Sequence, residues 1–142
     1  MGHIFKYRLR SPLGGLAADL RADWGASDFG GEFFLRIDRE IYLAPPKGMY
    51  WRDASWLSFG LAVHASDLLA LHPEGVIVRV ASFTYSLAHF RSEVAALAMD
   101  GWVREVFGLP DRGLRVHFDE EKGDYEFRWG AYGEPFEDDL LR

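Results

Sequence analysis

The chain has 142 residues, 49% hydrophobic and 27% charged, which is the make-up of one soluble globular domain and leaves too little chain for two. A formal charge of −6, from 22 acidic and 16 basic residues, disfavours a nucleic-acid surface, which needs clustered Lys and Arg, and suits a basic protein partner. The absence of cysteine excludes disulfide frameworks, cysteine-ligated zinc, iron–sulfur clusters and thiol catalysis, and permits a reducing compartment.

The opening Met1-Gly2-His3-Ile4-Phe5-Lys6 contains no apolar segment followed by a small-residue cleavage site. No stretch approaches the roughly 18 consecutive apolar residues of a membrane span, so a cytoplasmic location is expected. A period of two then dominates the chain. His3, Phe5, Tyr7 and Leu9 form an apolar parity against the charged Lys6, Arg8 and Arg10, as in a half-buried strand. After the turn cluster Ser11-Pro12-Leu13-Gly14-Gly15, the parity Leu16, Ala18, Leu20, Ala22, Trp24 predicts a second strand, preferred over a helix through Leu13, Leu16, Leu20 and Trp24. Behind a Gly30-Gly31 break, Phe33, Leu35, Ile37 and Ile41 share a face opposite Arg36, Asp38 and Glu40. Leu57, Phe59, Leu61 and Val63 repeat the alternation and predict a further strand. Past His72-Pro73-Glu74-Gly75, Val76, Val78 and Val80 form a strand apolar enough to be central in its sheet.

One segment changes period. From Ser86, the residues Leu87, Phe90, Val94, Leu97 and Ala98 recur at three- and four-residue steps and predict one amphipathic helix over about 86–100. Ser86 is its expected N-cap, and it ends at Gly101 or runs on to Gly108. Leu114, Val116, Phe118 and then Tyr125, Phe127, Trp129 restore the alternation, with Asp119-Glu120-Glu121-Lys122-Gly123-Asp124 as the loop of a hairpin. The expectation is an α+β fold: an antiparallel sheet or sandwich of six to eight strands with one helix packed on it. Residues 1–130 form the single domain, and residues 131–142 form an acidic, poorly packed tail. The apolar parities place Phe5, Tyr7, Phe33, Leu35, Ile37, Phe59, Leu61, Val78, Val80, Phe90, Val94 and Leu97 mostly inside.

The run Asp53-Ala54-Ser55-Trp56-Leu57, an alternating strand, Val76 to Val80, the helix with Leu87, Phe90 and Leu97, and a terminal hairpin together resemble the immunity proteins paired with wall-associated contact-dependent toxins. The likeness covers about residues 50–130. It implies a cytoplasmic antitoxin that binds and neutralises a toxin domain, with no catalytic residues to carry over.

Charge bears on the same question. Residues 1–118 carry 13 acidic and 13 basic side chains, and residues 119–142 carry nine and three, so the last 24 residues hold the whole net charge. A local negative field speeds encounter with a basic partner, which marks Asp119, Glu120, Glu121 and Asp124 as contact residues. The plainer alternative is a solvated hairpin loop and a soluble tail. Asp119, Glu121 and Asp124 lack the spacing of a calcium loop, and neither a metal nor a cofactor is expected. A second surface is expected in the loop from Tyr42 to Arg52, where Met49, Tyr50, Trp51 and Arg52 are residue types enriched at interfaces. The alternative is that Tyr50 and Trp51 fold back and plug one end of the sandwich.

Catalytic signals are sparse. His3, His64, His72, His89 and His117 have no metal spacing, and Ser66, Ser82, Ser86 and Ser92 lie in no nucleophile motif. Gly14-Gly15 and Gly30-Gly31 lack the third glycine of a phosphate cradle. Asp38 and Glu126 would act as an acid–base pair only if a sheet brought them together. The sequence therefore reads as a non-catalytic protein-binding module of the immunity type. A small-ligand pocket between the helix and the aromatic sheet is the alternative, and an enzyme ranks third.

Overall fold

The computed structural model describes residues 2–26 and 33–136, so the Gly30-Gly31 break and residues 137–142 of the expected tail lie outside the described residues. The elements run β1 (His3–Leu9), β2 (Leu16–Gly25), β3 (Leu35–Asp38), β4 (Ile41–Ala44), α1 (Trp51–Ala62), α2 (Ala65–Leu71), β5 (Val76–Thr84), a 3₁₀ turn (Leu87–His89), α3 (Glu93–Phe107), β6 (Leu114–Asp119) and β7 (Asp124–Trp129). The fold is α+β. It is not one antiparallel sandwich with one helix: among the described residues a mixed five-stranded sheet of order β1-β2-β5-β4-β3 stands beside a two-stranded β6-β7 hairpin, with three α-helices.

β1 and β2 form where the alternation placed them, in antiparallel register from His3 opposite Ala22 to Leu9 opposite Leu16, so residues 16–24 are strand. The strand expected at 57–63 is the second half of α1. Asp53, Trp56, Leu57, Gly60 and Leu61 are its buried residues, a stripe at i, i+3, i+4, i+7 and i+8. Leu57 and Leu61 fit a period of two as well as a helix, whereas Asp53 and Gly60 do not read as apolar at all. Helix α2 was likewise not anticipated. Together α1 and α2 carry the chain across from β4 to β5, which is why that pair is parallel, Ile41 opposite Val76 and Leu43 opposite Val78, while the other strand pairs are antiparallel.

The expected helix at 86–100 lies further on, at Glu93–Phe107. Ser86 precedes only the 3₁₀ turn, and Phe90 is extended, so the position before α3 belongs to Ser92. The helix stops at Gly108, whose left-handed conformation (φ 66°) lets its N–H reach the Arg104 carbonyl. Gly101 is interior and has a packing role: a Cβ there would fall 2.1 Å from the Phe5 ring.

One core joins the strand residues Leu20, Leu43 and Val78 to Trp56 and Leu61 of α1 and to Ala95, Met99 and Trp102 of α3. The residues expected inside divide. Leu61, Val78, Val80, Val94 and Leu97 are buried, and Phe5, Tyr7, Leu35, Ile37, Phe59 and Phe90 are half-buried. Phe33 is 72% exposed, because β3 begins only at Leu35 and Phe33 stands ahead of it. Within the region read as a tail, Phe136 packs edge-on against Trp56, ring centroids 4.8 Å apart. Among the described residues no single helix is long and apolar enough to cross a membrane.

The α1–α3 crossing is tight at Gly60, where a Cβ would meet the Ala96 carbonyl oxygen at 2.5 Å and the Met99 Cβ at 3.0 Å. Helix propensity alone makes Gly60→Ala stabilising by about 1 kcal/mol, but forcing a methyl group against backbone costs roughly 1–3 kcal/mol. Net destabilisation in urea denaturation is expected, and a gain in stability would show that the helices separate freely.

Candidate functional site

The chain leaves β4 through Pro45-Pro46-Lys47-Gly48, a turn closed by the Met49 N–H on the Pro46 carbonyl (3.2 Å), with Gly48 at φ 78°. Tyr50 is extended, and its carbonyl accepts the Ala54 N–H, so α1 begins at Trp51. Met49 packs toward the core. Tyr50 and Trp51 do not: they stand 50% and 48% exposed, ring centroids 6.2 Å apart. The Arg52 guanidinium lies 5.7 and 5.5 Å from the two ring centroids, a cation–π contact that orients all three side chains. The buried Arg52 Nε makes no hydrogen bond.

This corner forms one end of an open groove of about 1010 Å3, walled by Leu35, Ile37, Met49, Trp51, Phe59 and Phe136. Its floor is the outer face of α1. The hydroxyls there are already committed: Ser55 donates to the Trp51 carbonyl (2.9 Å) and Ser58 to the Ala54 carbonyl (2.7 Å), so the floor offers little unsatisfied polarity. Among the described residues, Arg36 and Lys47 are the charged residues of the lining. Sequence reasoning found Met49 and Trp51 through residue type, but the groove itself required α1.

The acidic hairpin is partly structural. Asp119 builds the turn, its Oδ1 accepting the N–H groups of Glu121 (3.0 Å) and Lys122 (3.2 Å) and its carbonyl accepting that of Gly123 (2.8 Å). Asp124 pairs with Arg91, whose guanidinium also lies over the Tyr125 ring, and this charge-assisted bond holds the Asp124 carboxyl below its ordinary range. Glu120 and Glu121 are exposed. Among the described residues no hydrogen bond or ion pair joins Met49–Arg52 to these acids.

Asp53 opens the string that carried the family resemblance, and that string is interior: Asp53, Trp56 and Leu57 are all buried. The Asp53 Oδ2 accepts the Tyr85 hydroxyl (2.7 Å), and among the described residues the buried Oδ1 has no hydrogen-bond partner. Burial raises the Asp53 carboxyl above its ordinary range, against the opposing Tyr85 bond. Burial, then the neighbouring carboxylate, pushes the Tyr85 hydroxyl up to about 12.

A second buried pair was invisible in the sequence. His64 is not on a strand face but at the α1–α2 junction, fully buried, with Nε2 2.7 Å from the Asp100 Oδ1 of α3. The other Asp100 oxygen faces Arg104 at 3.4 Å. The His64 Nδ1 has no hydrogen-bond partner and no solvent, so the pair ties the helices together without offering a base to a substrate. Asp38 and Glu126 fall on different sheets, the first beside Arg39 and the second beside Arg128 and His117. Among the described residues no three His, Asp or Glu side chains are grouped to hold a metal ion. Compared with protein-family models, curated proteins and solved structures, the chain matches none.

The two perturbed carboxyls give opposite pH signatures. A folded pKa raised above the unfolded value, as at Asp53, stabilises fully below the ordinary Asp pKa, and that contribution is lost as pH rises through the folded value. A lowered one, as at Asp124, stabilises above the ordinary pKa and is lost on acidification. The stability of Asp53→Asn relative to the parent chain should therefore rise between about pH 3 and 7, and that of Asp124→Asn should fall. Chemical denaturation across that range checks both, and parallel profiles would refute the assignment.

Proposed function

We propose that this chain is a non-catalytic, cytoplasmic protein-binding module of the immunity type, which neutralises a toxin domain by direct contact. The observation that carries the reading is the half-exposed Tyr50–Trp51 pair, held over Arg52 at the lip of an apolar groove. Aromatic rings kept in water and already oriented lose little entropy when a partner covers them, which is how interface anchors work. Glu120 and Glu121, exposed on the hairpin, supply the negative field that steers a basic partner. Asp119 and Asp124 contribute charge there too, but each also shapes the hairpin.

The groove supports a second reading. Its volume lies at the upper end of the roughly 300–1,000 Å3 of ordinary ligand pockets, and its walls are apolar, so a small-ligand-binding role competes for the same surface.

Capture of the partner from the native host, followed by binding kinetics, tests the proposal. Trp51→Ala and Tyr50→Ala should raise the dissociation rate by roughly tenfold or more, as expected for a desolvated anchor. Glu120→Gln/Glu121→Gln should slow association and flatten its salt dependence while leaving fold stability unchanged, because exposed charges act by steering. A partner indifferent to both sets removes these surfaces from the proposal. Failure to capture a protein, combined with thermal stabilisation by a metabolite, selects the small-ligand reading.

A further inference from the structure

The groove differs in charge from the rest of the molecule. The chain carries −6, yet among the described residues no acidic side chain lines the groove, and the two charged ones that do are Arg36 and Lys47. Lys47 is exposed on the turn before α1 and makes no ion pair or hydrogen bond among the described residues. The Arg36 Nε is held by the Arg39 carbonyl (2.7 Å), with its Nη2 3.5 Å from Glu40, so its position on the rim is fixed.

Shape narrows the occupant. An added β-strand would need the free edge of β3, but β3 has only four residues and a register shift between Arg36 and Asp38, devices that protect an edge from pairing. The floor offers something different. Ala54, Ser58 and Ala62 recur every four residues along the α1 face opposite its buried stripe, beside the parallel row Trp51, Ser55, Phe59. Rows at that spacing, with small side chains between larger ones, let a second helix approach and interdigitate. The volume suits several anchor side chains, such as a helix presents at i, i+3, i+4 and i+7.

We infer that the groove seats an amphipathic helix of a protein partner, with acidic residues flanking its apolar stripe, so that Lys47 and Arg36 meet carboxylates at the rim. The inference rests on the protein-binding reading and identifies what the partner inserts. The acidic hairpin and the groove thus select opposite charges. A partner that engages both surfaces is bipolar, with a basic face for Glu120 and Glu121 and an acid-flanked helix for the groove.

The test uses the full-length chain and two labelled synthetic helices with the same leucine stripe, one flanked by Glu and its twin by Lys, read by fluorescence anisotropy. The Glu-flanked helix should bind roughly tenfold tighter at low salt, and the preference should shrink as salt rises. Lys47→Glu should reduce or invert the preference, and it leaves the fold intact because Lys47 is exposed and unpaired. Ser58→Trp should block both helices, with its thermal transition checked against the parent. Equal affinity for the twins overturns the acidic flank while leaving the protein-binding reading standing. Saturable binding of dodecanoate with no binding of either helix overturns both and makes the groove a small-ligand site. Helix binding that appears only in Leu140→Asp/Leu141→Asp assigns the groove to the chain's own acidic end and overturns the partner reading of it. A native partner whose binding the Glu-flanked helix does not compete overturns the placement.

Discussion

Gly60 of α1 lies so near the Ala96 carbonyl of α3 that a single methyl group would close the gap to 2.5 Å, and the arrangement of the molecule follows from that crossing. Two helices at such a distance bury Trp56, Leu57 and Leu61 from one side and Ala95, Ala96 and Met99 from the other in one core shared with the sheet. Because α1 is held there, the chain must pass over the helical layer between β4 and β5, and the two strands meet in parallel. The same contact decides which side of α1 faces outward. That side, with Trp51, Ser55, Ser58 and Phe59, becomes the floor of the groove.

Around this core the polar groups divide into those that hold the structure and those that remain available. His64 with Asp100, and Asp53 with Tyr85, are buried ties between elements far apart in sequence. Removing one member of such a tie leaves the other without its partner in a dry interior, where an unpaired polar group is expensive. Asp124 with Arg91 fastens the hairpin to the segment leading into α3. Among the described residues that stay exposed outside these ties are Glu120 and Glu121 on the hairpin, Lys47 on the turn, and the two rings at the start of α1.

These exposed groups lie on two surfaces of different character. On the hairpin, charge acts at a distance on approach; at the groove, oriented aromatic and apolar side chains act on contact. On the proposed function an inhibitor needs both properties, fast encounter and slow release, and that reading assigns them to different parts of the chain. The net charge of −6 is carried by residues 119–142, whereas the described charged side chains of the groove lining are basic.

What the sequence determined by itself is local. The alternation of His3 to Leu9 and of Leu16 to Trp24 specified half-buried strands, the valines of β5 specified a central one, and the loop between β6 and β7 was legible from its residues. Residue type alone marked Met49, Trp51 and the hairpin acids. Helix α1 was not legible, because its inward stripe includes Asp53 and Gly60, which no apolar pattern counts, while Leu57 and Leu61 satisfy both periods. Glycine belongs in that stripe only because α3 presses against it, and aspartate because Tyr85 donates to one of its oxygens. Those partners lie more than thirty residues away, as does the Asp100 that meets His64. The groove, the parallel pair and the buried ties were left to the tertiary structure, since each depends on distances between elements, and one-dimensional periodicity carries the direction of a side chain but not what it will meet.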